Sequence, residues 1–153
     1  MDNQKLFYFT LIFICLFLFF WLIGISSLVF FRDFPLINNL LSLSKITFSK
    51  FCHQNINKTI ILNGAPFLVC SRCLGIYSGS FIFSILMIIF YKKNITLKLK
   101  WLIIALLFII ADIIFYNLNF YNYSKTIAFV TGFFLGSIFI SYINFQIKNY
   151  FVQ

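Results

Sequence analysis

The chain reads as an all-α membrane protein, a bundle of about four transmembrane helices with a cysteine-containing loop between helices 1 and 2. Three observations predict this class. Of 153 residues, 62% are hydrophobic and 10% charged, where soluble domains carry about 25% charge; a soluble fold of this length buries too little of its chain to hide that apolar surface. The apolar residues fall into four long runs. The 12 Lys and Arg, against 3 Asp and Glu, sit between those runs, where topology and anionic headgroups favour them. The implied partner is the lipid bilayer. Nucleic acid is excluded, because binding it takes basic residues clustered on a water-exposed face. Residues 1–153 form a single integral membrane domain.

The first helix spans 6–31, a run without a charged residue and longer than the roughly 20 residues that cross a bilayer. It is too long for a signal-peptide core, and Gly24-Ile25-Ser26-Ser27 is a poor cleavage site. Cys15 inside it reads as an apolar side chain. Arg32-Asp33 closes the run, and Pro35 suits a helix start. From Leu36 to Ile46 apolar residues recur at helical spacing, as in a short helix lying in the interface; a loop packed on the bundle is the alternative. Asn63-Gly64, between two short apolar runs, signals a β-hairpin, with Pro66 on an edge strand. The second helix spans 74–91 and ends at Lys92-Lys93. The third spans 101–116, with Trp101 as interfacial anchor. A Tyr- and Asn-rich connection leads to the fourth, 127–143. Four lysines crowd into the short connection 92–100, which favours cytoplasmic termini in the cell membrane. The chain is read as prokaryotic, so the glycosylation triplets at Asn57, Asn94 and Asn122 are chance.

The Cys/His loop, 32–73, gathers the candidate chemistry. Cys52, His53, Cys70 and Cys73 make a Cys3His set of the kind that holds zinc, and C-x2-C is a familiar half-site. The hairpin folds Cys70 back toward Cys52. Neighbours in sequence seldom both bind one ion, so His53 is also read as a group beside the site. A disulfide and simple burial are the rival readings of the thiols. Cys73 at the start of a helix is placed for a thiolate. Cys73, Tyr77, Ser80 and Ser84 form a polar stripe on the second helix. Gly75 and Gly79 there, and Gly132 and Gly136 on the fourth, are spaced for close helix packing, within the chain or in a homo-oligomer. Asp112, a carboxylate in an apolar run, needs a partner, and Arg72 is the candidate for an ion pair or polar site.

The stretch Phe51-Cys52-His53-Gln54, then Lys58-Thr59, Gly64, Pro66 and Cys70-Ser71-Arg72-Cys73-Leu74-Gly75-Ile76-Tyr77-Ser78-Gly79 resembles the uncharacterised membrane family known as domain of unknown function 2085. Asp112 and Gly132-Phe133-Phe134-Leu135-Gly136 resemble its downstream pattern. Two departures stand out: Lys58 takes the place of the family's arginine after C-H-Q, and the arginine expected before the last glycines is absent near Ala128. The resemblance implies a multi-pass membrane protein of unknown activity and supplies no substrate.

Three functions compete. The first is a membrane protein with a zinc-like Cys/His site at the membrane interface. The second is a membrane thiol–disulfide oxidoreductase using Cys70 and Cys73. The third is a small transporter or channel subunit, which at this length needs to oligomerise. One histidine and few acids exclude a Ser/His/Asp triad and the paired carboxylates of a glycosidase, and there is no Gly-rich phosphate loop.

Overall fold

The computed structural model describes residues 3–30, 38–90 and 99–152. Arg32-Asp33, Pro35, Lys92-Lys93, Lys98 and the far ends of the first and second predicted helices lie outside the described residues.

Among the described residues, four helices are long and apolar enough to cross a membrane. They are α1 (Asn3–Phe30), α3 (Ser71–Ile89), α4 (Leu99–Asn117) and α5 (Lys125–Val152). The segment expected in the interface is helical over α2 (Asn38–Ser49), and its first residues, 36 and 37, lie outside the described ones. Helix α3 begins at Ser71 instead of 74, so that Cys73 lies in its first turn. Helix α5 runs well past 143, because Asn144 to Val152 contains neither Gly nor Pro to stop it. The outer surface is apolar: Phe9, Phe13, Phe108 and Phe134 are each more than 60% exposed. Such a surface is compatible with lipid, not water.

Between α2 and α3 lie a single 3₁₀ turn (Ile56–Lys58) and a two-stranded antiparallel hairpin, β1 (Ile61–Leu62) and β2 (Ala65–Pro66). Ile61 pairs with Pro66 and Leu62 with Ala65. Asn63 (φ 51°) and Gly64 (φ 74°) are both left-handed, the conformation a two-residue type I′ turn demands. The ladder continues through Phe67 N–H to Ile60 O at 3.1 Å, and Leu68 N–H then bonds Ile25 O of α1 at 3.2 Å. Ile25, Phe48, Cys52, Leu68 and Val69 form a buried core under the hairpin, and the Trp21 ring meets Phe48 edge-on at 5.0 Å.

The tightest packing is between α3 and α5. A Cβ on Gly75 would overlap Phe129 O, and one on Gly79 would overlap Phe133 O. Reciprocally, Gly132 would strike Arg72 O, and Gly136 would strike Ile76 O. The two glycine pairs therefore interlock within one chain. Contacts 72–132 and 76–136 advance together, so the helices run parallel, as they must with α4 returning the chain between them. Ser80 Oγ adds a hydrogen bond to Gly136 O at 3.1 Å.

Gly136→Leu is expected to cost about 1–3 kcal/mol or more, the scale of overpacking against an unyielding neighbour, because the obstruction is backbone. Gly24→Ala, which meets only the edge of the Phe48 ring at 3.2 Å, should cost much less. Thermal unfolding in detergent compares the two variants.

Candidate metal centre and the adjacent ion pair

Cys52 lies three residues beyond the last residue of α2, Ser49, its N–H bonding Phe48 O at 2.9 Å. Beyond it the chain turns sharply through Gln54, at φ 46°, whose side-chain amide caps Lys45 O at 3.1 Å. Asn55 then caps the 3₁₀ turn, with its Oδ1 accepting Asn57 N–H at 3.0 Å. Ser71 Oγ donates to Lys58 O at 2.8 Å, which ties the turn to the start of α3. Cys70 is the residue capping α3, and Cys73 lies in its first turn.

These constraints bring three sulfurs together: the Sγ atoms of Cys52, Cys70 and Cys73 all lie within 4.8 Å of one another. Cys52 is buried, and Cys70 and Cys73 are half-buried. All four cysteines are free thiols, with Cys15 apart from the group. His53 is exposed and is not one of the group: with Cys52 facing the core, the next side chain faces away.

The sulfur favoured as thiolate is Cys52. The Cys70 and Cys73 thiols donate to it, and the backbone N–H groups of Cys70 and Gln54 add to them, holding its pKa well below the ordinary thiol range. The Cys70 N–H lies 3.2 Å from Cys52 Sγ. The sulfur at the N-terminal end of α3 thus comes from 18 residues earlier in the chain, where the helix dipole favours negative charge. The sequence alone points to Cys73 in that role. Local position alone suggested Cys73, whereas the fold brings a different sulfur to the amides.

Arg72 points away from the thiols into an ion pair. Its Nη2 donates to Asp112 Oδ2, and the Tyr121 hydroxyl donates to Asp112 Oδ1. Tyr121 went unnoticed in the sequence. It reaches Asp112 because α4 ends in a Schellman turn: Phe120 N–H bonds Phe115 O, Asn119 N–H bonds Tyr116 O, and Asn119 is left-handed at φ 57°. The Phe115 and Phe120 rings pack edge-on at 5.8 Å across it. An Asn following an apolar helix, with Phe115 and Phe120 on either side of the turn, is the available signal. Nearby, Lys58 Nζ sits 4.6 Å from the Tyr116 ring centre and 5.4 Å from that of Tyr123, a cation–π arrangement. Tyr77 and Ser80 lie along α3 below the thiols, with Ser84 fully buried further on.

The model of the family described as predicted membrane protein (DUF2085) matches residues 52–142, the span from the first loop cysteine to the far side of the glycine contact. An uncharacterised protein of Methanocaldococcus jannaschii is 32% identical over 99 residues. That alignment covers 63% of this chain and 63% of the relative's length. No solved structure matches the chain.

Two outcomes follow from the ion pair. Asp112→Asn should cost about 2–3 kcal/mol, below the roughly 3–5 of a fully buried pair, since the Arg72 side chain is 22% exposed; chemical denaturation in detergent measures it. Tyr121 donates to a carboxylate and its pKa is pushed up to about 12. Its contribution is intact below the ordinary tyrosine value near 10 and lost as pH rises through about 12. Ultraviolet titration, taken as the difference between the wild type and Tyr121→Phe, should show this late phenol. Asp112→Asn should return it toward its ordinary value.

Proposed function

The chain belongs to the DUF2085 family of predicted membrane proteins, and from that premise we propose that it holds a zinc-type metal ion through Cys52, Cys70 and Cys73 at the mouth of its bundle. The observation carrying this reading is the convergence of three sulfurs within 4.8 Å. A tetrahedral ion with metal–sulfur bonds of about 2.3 Å needs sulfurs about 3.8 Å apart, which small rotations of the thiols supply. The donor set suits the ion: thiolates select soft or borderline metals. The N–H groups aimed at Cys52 do for a metal-bound thiolate what they do for a free one. His53 serves as fourth ligand only by turning its exposed ring inward, and His53→Ala asks whether it does.

In this reading the protein is a multi-pass component of a prokaryotic cell membrane, with its termini in the cytoplasm and the thiols on the outer side. The lysines crowded into 92–100 support that orientation, and the archaeal relative supports the prokaryotic source. The interlocked glycines are used within the chain, so a homo-oligomer would need another surface.

One observation favours a second reading. Cys52 accepts hydrogen bonds that favour its thiolate and lies beside a C-x2-C pair, an arrangement compatible with thiol–disulfide exchange.

Metal content and free thiols of the detergent-purified protein separate the two. The metal reading expects about one zinc per chain, lost in Cys70→Ser, with the thiols reactive once the metal is chelated. No metal and two missing thiols would overturn it in favour of exchange chemistry.

A further inference from the structure

The repeat that sets the glycine contact continues down the same two helices. Arg72 faces Gly132 and Ile76 faces Gly136, while Ser80 bonds to Gly136 O. Following the same two helices away from these contacts leads to Ser84 on α3, eight residues beyond Ile76, and to Asn144 on α5, eight beyond Gly136. Both residues of this last pair are buried, each 1% exposed. Their polar atoms are also unpartnered: Ser84 Oγ, Asn144 Oδ1 and Asn144 Nδ2 make no hydrogen bond.

An amide and a hydroxyl buried without partners on two packed helices would cost several kcal/mol in desolvation. Lipid cannot satisfy them. We propose that the α3–α5 interface holds a buried water site between Ser84 and Asn144. The three unpartnered atoms supply two acceptors and two kinds of donor. Ser141, 2% exposed and one turn before Asn144, spends its hydrogen on Ser137 O at 2.7 Å and keeps lone pairs to accept. A buried water needs two to four such partners.

Water fits better than a metal cation. Hard cations take about six oxygen ligands, usually including carboxylate, and this place offers two unpartnered oxygens and no acid. Ser84 lies 13 residues beyond Ser71, ~20 Å along the helix. The site is therefore in the half of the bundle remote from the cysteines and does not depend on the reading of the thiols. It makes that half of the interface a place where a small, neutral, hydrogen-bonding molecule resides within the membrane.

The test is rotating-frame Overhauser spectroscopy on full-length protein in nanodiscs, with nitrogen-15 confined to asparagine. The Asn144 side-chain NH2 is assigned by its loss in Asn144→Gln. It should show a cross-peak to water, with the sign of through-space contact instead of chemical exchange. Ser84→Ala, which removes one partner and leaves the helix intact, should shift the Asn144 resonances and abolish the cross-peak. An Asn144 amide with no water contact in the wild type would overturn the proposal, as would a cross-peak unchanged by Ser84→Ala.

Discussion

The close approach of α3 and α5 over Gly75, Gly79, Gly132 and Gly136 is the constraint on which the rest of the molecule depends. In lipid, helices gain little from burying apolar surface against one another, so association rests on close packing and weak backbone contacts. Each of the four glycines faces a carbonyl oxygen of the opposite helix, a geometry suited to Cα–H···O bonds. Because Gly132 lies against Arg72, the contact starts at the first turn of α3, and Cys70, Arg72 and Cys73 inherit a rigid platform. The same contact forces α3 and α5 to be parallel, which leaves α4 to cross back and deliver Asp112 at the level of Arg72.

The thiol group follows from how the loop is fastened to that platform. Leu68 N–H on Ile25 O, Ser71 on Lys58 O and the Cys70 N–H on Cys52 Sγ close it at three points. Crowding then decides the chemistry. Three sulfurs within 4.8 Å repel one another if all ionise, so one thiolate takes hydrogen bonds from its two neighbours, and Cys52 holds that position. Arg72, the cation next to them in sequence, has its Nη2 on Asp112. A bound cation would release the conflict by letting all three thiols ionise around it.

What the sequence revealed was local or periodic. Asn63-Gly64 demanded a type I′ turn and the backbone adopts one. The long apolar runs predicted the spans, and glycine spacing predicted close packing, although spacing alone left the partner helix open. What it hid depends on distant parts of the chain meeting. Cys52 becomes the favoured thiolate through amides 18 residues away. Tyr121 reaches Asp112 through a helix ending whose Asn119 carries little signal alone. Asn144 lies just beyond the fourth helix expected over 127–143, and only the continuation of α5 to Val152 makes it a buried helical residue.

The central claim is that this fold gathers Cys52, Cys70 and Cys73 around a single metal ion. X-ray absorption fine structure at the zinc edge, on protein purified from membranes with its metal in place, tests it most directly. The account predicts three sulfur neighbours at about 2.3 Å, falling by one in Cys52→Ser. A first shell of nitrogen and oxygen alone, or a sulfur count untouched by that substitution, would contradict it.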